Sequence, residues 1–137
     1  MRIAFGTDEE TPLTEAVRID LESRGHDVAF LARGEAWPEV GRAVGEEVAA
    51  GRADRGIVCC WTGTGVSIAA NKIAGVRAAL CTDAATAGGA RKWNDANVLA
   101  FGLRLTSPTL AAEMIDAFLR GEPDAAEVSV ISRVEGP

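Results

Sequence analysis

The chain has 137 residues, 47% of them apolar and 25% charged, and a formal net charge of −6. That length suits one domain with a single well-buried core, and the apolar and charged fractions are ordinary for a soluble globular protein. The negative balance argues against a nucleic-acid footprint and against docking on an anionic membrane, and no apolar run approaches the roughly 20 residues a bilayer span needs.

Met1-Arg2-Ile3-Ala4-Phe5-Gly6 reads as a short strand without a signal peptide's long apolar region, so the cytoplasm is the expected location. The strand Ile3 to Gly6 is followed by the loop Thr7-Asp8-Glu9-Glu10. Leu13, Val17 and Leu21 then recur at helical spacing, with Thr11 or Thr7 as N-cap, Pro12 in the first turn and Gly25 as the stop. A second strand covers His26 to Leu31. A loop around Gly34 and Pro38 leads to a helix with Val40, Val44 and Val48 inward, ended by Gly51.

Arg55 to Cys60 forms the third strand, and Ser67 to Ile73 belongs to the helix after it, which Gly75 breaks. Val76 to Leu80 is the fourth strand, and Asp83 caps a helix from Ala84 to Lys92. Val98 to Gly102 is the fifth. A last long helix runs from about Ser107-Pro108 to Leu119, with Leu110, Met114, Ile115 and Phe118 inward. The tail after Gly121 has too little apolar surface to stand alone and is expected to pack on its own domain or on a partner subunit. Five alternations of strand and helix predict an α/β fold: a parallel, doubly wound sheet with helices on both faces.

The chemistry is expected at Ile57-Val58-Cys59-Cys60-Trp61-Thr62-Gly63-Thr64-Gly65-Val66-Ser67, where a buried strand runs into a Gly-alternating turn and a helix start. Glycines let the backbone approach a ligand, and the free N–H groups of a helix start point at negative charge. Thr62, Thr64 and Ser67 add hydroxyls. Cys60 stands at the strand's carboxyl end, where open parallel sheets bind ligands, and helix N-termini favour thiolates. Cys59 faces the other side of the strand and, like Cys81, reads as a small core hydrophobe. With no CxxC spacing and His26 the only histidine, no metal is expected, and Asp8-Glu9-Glu10 reads as a solvated acidic loop.

The chain resembles the ribose-5-phosphate isomerase B and galactose-6-phosphate isomerase (RpiB/LacA/LacB) family. The likeness rests on Gly6-Thr7-Asp8, on Cys60-x-Thr62-Gly63-x-Gly65-x-Ser67-Ile68-Ala69-Ala70-Asn71-Lys72, on Gly75 through Cys81, and on Asn94-Asp95-Ala96-Asn97-Val98-Leu99-Ala100-Phe101-Gly102-x-Arg104. It extends from Met1 to about Gly121. The resemblance implies one Rossmann-like three-layer domain over residues 1–137, in a homodimer, or a tetramer, with each active site at a subunit interface. It also implies aldose–ketose isomerisation of a phosphorylated sugar through an enediolate, without metal or organic cofactor. Cys60 matches the family's base and Thr62 a residue implicated in ring opening. Gly63, Thr64 and Gly65 match the loop that holds the oxyanion, and Asp8 and Asn94 match residues that bind sugar hydroxyls. Arg104 is the best matched cation for a phosphate, with Lys72 and Arg91 as further candidates.

Three departures bear on the substrate. The residue after Asp8, usually His in the ribose enzymes, is Glu9, as the galactose-type A subunits also resemble. The family's ring-opening histidine before Asn94 is Trp93. The Arg/His-rich phosphate clamp of the tail is reduced to Arg133, with Ser129 and Ile131 near the other places. Losing an acid/base group costs roughly 10²–10⁴ in rate, so the expected substrate is one that needs no ring opening, such as a tetrulose or other short sugar phosphate, or a sugar without phosphate. The competing readings are a non-catalytic sugar-binding subunit paired with an active paralogue and, more weakly, nucleotide binding. Against the last, neither GxxxxGK[ST] nor GxGxxG follows a strand here.

Overall fold

Strands β1 (Arg2–Thr7), β2 (Asp27–Arg33), β3 (Arg55–Cys60), β4 (Ala78–Leu80) and β5 (Val98–Gly102) alternate with helices α1 (Pro12–Ser23), α2 (Trp37–Ala49), α3 (Thr64–Asn71), α4 (Ala84–Asn94) and α5 (Pro108–Arg120) in this computed structural model, which describes residues 1–136. All five strands pair in parallel in the order β2-β1-β3-β5-β4, so β1, β3 and β5 lie inside the sheet. The doubly wound parallel sheet expected from the alternation is the one observed.

Strand residues alternate between two cores because successive side chains point to opposite faces. Ile3, Phe5, Ile57, Cys59, Leu99 and Phe101 pack beneath α1, α4 and α5. Ala4, Val58, Cys60, Val98 and Ala100 pack beneath α2 and α3. Cys59 and Cys60 therefore face opposite layers. The buried stripes Leu13, Val17, Leu21 and Val40, Val44 follow helical spacing, while Val48 and Leu110, expected inward, are half-buried.

Caps set the helix starts. Thr11 and Thr14 form a reciprocal capping box on α1, Asp83 accepts from the Thr86 N–H on α4, and Ser107 accepts from the Leu110 N–H on α5. Beyond shifts of one or two residues at β1, β2 and the end of α3, three boundaries differ from the sequence expectation for a visible local reason. Helix α3 starts at Thr64, because Gly63 takes the left-handed conformation at φ 79° and reverses the chain in one residue. Strand β4 keeps only three residues, because the Val76 N–H turns back to the Ile73 carbonyl and the Arg77 N–H donates to Asn97 Oδ1. Helix α4 continues to Asn94, because the chain leaves it only at Asp95, which is left-handed at φ 46°. Trp93 and Asn94 are thus helical residues.

The tail folds into short helical turns, Ala125–Glu127, Val128–Ile131 and Ser132–Glu135. It is tied to its own domain at both ends. The Asp124 N–H donates to the Lys92 carbonyl at 2.8 Å, and Glu135 accepts from the Gly75 N–H and from Arg77, each at 3.2 Å.

Candidate active site

The site grows from the carboxyl ends of β1 and β3. The buried Thr7 hydroxyl donates to the Glu9 carbonyl at 2.7 Å, curling the loop after β1. The Asp8 N–H donates to the Cys59 carbonyl at 3.3 Å, which brings Asp8 beside the end of β3. There burial, with a smaller contribution from Glu9, holds the Asp8 carboxyl above its usual range. Cys60 closes β3 and is 5% exposed.

The turn after it is built by close approach. A Cβ on Gly63 would meet Phe101 backbone carbon at 2.7 Å and Leu80 Cδ1 at 2.6 Å, so the turn rests directly on the end of β5. The Thr62 and Thr64 hydroxyls lie 2.8 Å apart in a hydrogen bond. Among the described residues no side chain caps α3, and at its start Thr64 is exposed and Gly65 half-buried, at the helix end where the dipole favours negative charge.

Asp8, Cys60, Thr62, Thr64 and Gly65 line one cleft of about 390 Å³, with Trp37, Trp61 and Ile68 as its apolar walls. Five residues named from the sequence are thus brought together. Gly63 lies buried under the turn, Ser67 is half-buried one turn into α3, and Glu9 is exposed outside the lining.

The remaining candidates lie elsewhere in the chain. Arg104 borders a neighbouring cavity of about 230 Å³, lined also by Trp61, Thr62, Leu80 and Leu105. Trp93 and Asn94 border a groove of about 520 Å³ between β4 and α4, again beside Leu80. The three hollows form a row: the cavity shares Trp61 and Thr62 with the Cys60 cleft at the carboxyl ends of the strands, and Leu80 and Cys81 with the groove, which descends between β4 and α4 to the far end of that helix. Arg133 is exposed in the last turn of the tail, two residues from the Glu135 that pairs with Arg77, and lines none of the three. Arg91 is no phosphate ligand. It is 1% exposed and already bonded to Asp95 and to the Ala96 and Gly121 carbonyls. Lys72 caps the far end of α3, away from the turn.

The other two thiols are discouraged from ionising. Burial raises Cys59 strongly and pushes Cys81 up to about 11. Among the described residues no three His, Cys, Asp or Glu side chains come together in a way that could hold a metal ion. No helix of the described residues is long and apolar enough to cross a membrane.

The walls Trp37, Trp61 and Ile68 were not singled out from the sequence. The available signals were a Trp-Pro pair at a helix start and a tryptophan directly after the thiol. Gly65 is matched to the first of these, since a Cβ there would come within 2.8 Å of the Trp37 ring.

A doubly wound parallel sheet with a thiol, a carboxylate and a glycine turn gathered at the ends of its central strands defines a Rossmann-like α/β protein with a small-molecule site. Comparison with known proteins narrows the class. The chain matches the Ribose/Galactose Isomerase family over residues 3–135 and belongs to it, among the aldose–ketose isomerases. The ribose-5-phosphate isomerase B of Escherichia coli (strain K12) is 40% identical over 123 residues, covering 86% of this chain and 83% of that protein. The D-erythrulose-4-phosphate isomerase of Pectobacterium atrosepticum is 38% identical over 128 residues, covering 89% and 84%. The solved ribose-5-phosphate isomerase B of Clostridium thermocellum superposes with a TM-score of 0.93 at 36% identity, covering 98% of this chain and 95% of that one.

Proposed function

We propose that the chain interconverts the aldose and ketose forms of a short or open-chain sugar phosphate through an enediolate, with Cys60 as the base. The observation that carries this is the single cleft in which Cys60 meets Asp8, Thr62 and the uncapped start of α3. The Cys60 sulfur removes the proton from the carbon next to the carbonyl. The electron pair of that C–H bond forms the enediolate double bond, and the carbonyl oxygen takes the charge facing the N–H groups of the Gly63-Thr64-Gly65 turn. A proton passes between the two oxygens, assisted by the Thr62 hydroxyl, and Cys60 returns its proton to the neighbouring carbon. No atom is lost and no electron acceptor is needed.

Asp8 and Asn94 hold sugar hydroxyls, Trp93 offers an apolar face, and Glu9 and Ser67 stand at the edge of the same surface. Arg104 and Arg133 meet the phosphate. Since Trp93, Asn94 and Arg133 line no part of the Cys60 cleft of their own chain, the reading requires a homodimer in which one chain supplies them to its partner's site, through the tail among other segments. Exposed Leu80, Trp93 and Leu105 along the row of hollows support that assembly. The cytoplasm is the expected location.

The substrate follows from what the cleft lacks. His26, the only histidine, accepts from the Met1 amino terminus at 3.0 Å at the opposite end of β1, so no imidazole is available to open a ring. The likeness to a D-erythrulose-4-phosphate isomerase agrees with a short skeleton. A second reading, a sugar-binding subunit without turnover, is favoured by one observation: among the described residues, Asp8 is the only charged side chain lining the Cys60 cleft.

Proton NMR in D₂O with four-, five- and six-carbon sugars and their phosphates separates the two. The expected result is C–H exchange with ketose formation on a short sugar phosphate, abolished in Cys60→Ala. Ligand-induced shifts without exchange on any sugar would leave the binding subunit as the function.

A further inference from the structure

We infer that Trp61 is a specificity-determining residue, whose indole limits the substrate to a four-carbon skeleton carrying a terminal phosphate. The inference rests on the assignment of Cys60 as base and extends it to the far end of the substrate. Trp61 sits in the chain between the thiol and Thr62, and its side chain is 59% exposed. It borders both the cleft that holds Cys60 and the neighbouring cavity that holds Arg104, so it forms the sill between base and cation.

The backbone beneath the sill is fixed. The Leu103 N–H donates to the Cys60 carbonyl and the Arg104 N–H to the Trp61 carbonyl, each at 2.9 Å, so the residues that carry the thiol, the indole and the guanidinium lie on adjoining, hydrogen-bonded main chain. Nor can the substrate shift the other way, because the Trp37 indole is packed against Gly65 on that side of the cleft.

The charges orient the ligand. Asp8 repels a phosphate within the Cys60 cleft, so the phosphate is met from the Arg104 side and the carbon chain crosses Trp61. A short chain crosses with its C–H flank on the ring, as aromatic faces accept apolar surface. A longer sugar must place further hydroxyl-bearing carbons where the indole stands. An indole offers one N–H and no acceptor, so those hydroxyls lose water without replacement.

The test compares kcat/KM for four-, five- and six-carbon aldose phosphates in the wild type, Trp61→Ala and Trp61→Phe. The wild type is expected to favour four carbons. Trp61→Ala shifts the four-to-five-carbon ratio toward the longer sugar by about tenfold or more, chiefly by lowering its KM, and Trp61→Phe keeps the wild-type order. Because each ratio is taken within one variant, a smaller folded fraction leaves it unchanged. A wild-type preference for longer sugars, or a ratio that Trp61→Ala does not move, would overturn the assignment while leaving Cys60 as base intact. No C–H exchange in the wild type on any of the three would sink the isomerase reading and this inference together.

Discussion

With the proposed role in binding, Asp8 carries a conflict between stability and function. Desolvation is the main reason its carboxyl sits above the usual 3.8, with Glu9 adding to it, so the folded chain holds this proton more tightly than the unfolded chain does. The sign follows from linkage. Below 3.8 the group is protonated in both states and costs nothing. As pH rises through the folded-state value, the ionised carboxyl makes folding less favourable. Asp8→Asn is therefore expected to melt at or above the wild-type temperature near pH 7, with the difference closing below its ordinary pKa, while isomerase activity falls. A clear loss of melting temperature at neutral pH would instead make the carboxylate a structural group. Asp8 and Cys60 were legible from the sequence because each follows a strand at a motif. Trp61 was not, because nothing in a sequence distinguishes an indole that walls a cleft from one that packs in a core.

At the level of elements, the end of α4 is held by charge rather than by periodic apolar contacts. The Arg91 guanidinium donates to Asp95 Oδ1 at 2.7 Å, to the Ala96 carbonyl at 2.6 Å and to the Gly121 carbonyl at 3.2 Å, and lies over the Phe118 ring. Arg77 bonds the same Asp95 and reaches Glu135 of the tail. One left-handed aspartate thus ties α4, the entry to β5 and the tail together, directly after Trp93 and Asn94. Removing Arg91 takes its N–H groups from the Ala96 and Gly121 carbonyls, while Asp95 keeps Arg77. Arg91→Ala is expected to lose about 2 kcal/mol or more in urea unfolding, from the carbonyls and the buried stem. Arg91→Lys should recover only part of that, since an ammonium cannot reproduce the planar fork. A loss below about 1 kcal/mol would show that the ion pair is surface-like. From the sequence, Arg91 reads as a candidate for a phosphate, because burial of its guanidinium depends in part on the Gly121 carbonyl, thirty residues further on.

At the level of the whole molecule, the row of three hollows separates base and cation from Trp93 and Asn94, and the exposed Leu80, Trp93 and Leu105 flank it. A shared site makes a sharp prediction. Cys60→Ala and Asn94→Ala chains, each inactive alone, should regenerate about a quarter of wild-type activity when unfolded together and refolded as an equal mixture, since random pairing gives half heterodimers with one intact site each. No recovery, with sedimentation showing mixed dimers, would mean that each site is complete within one chain. Leu105→Glu offers the physical counterpart, with dissociation to monomers expected by sedimentation.

The sequence by itself determined the alternation of strands and helices, hence the parallel sheet and its two faces. Side-chain periodicity, helix caps and glycine stops are local properties that act over a few residues. It also marked the Cys60-to-Gly65 turn, because a left-handed glycine between a strand and a helix start is a local requirement. Only the tertiary structure decided which marked residues meet. The order β2-β1-β3-β5-β4 puts β1 beside β3 and so brings Asp8 to Cys60, while β4 at the sheet edge carries the α4 groove away from them. Strand order depends on which surfaces bury best over long separations, and no single stretch of residues encodes it.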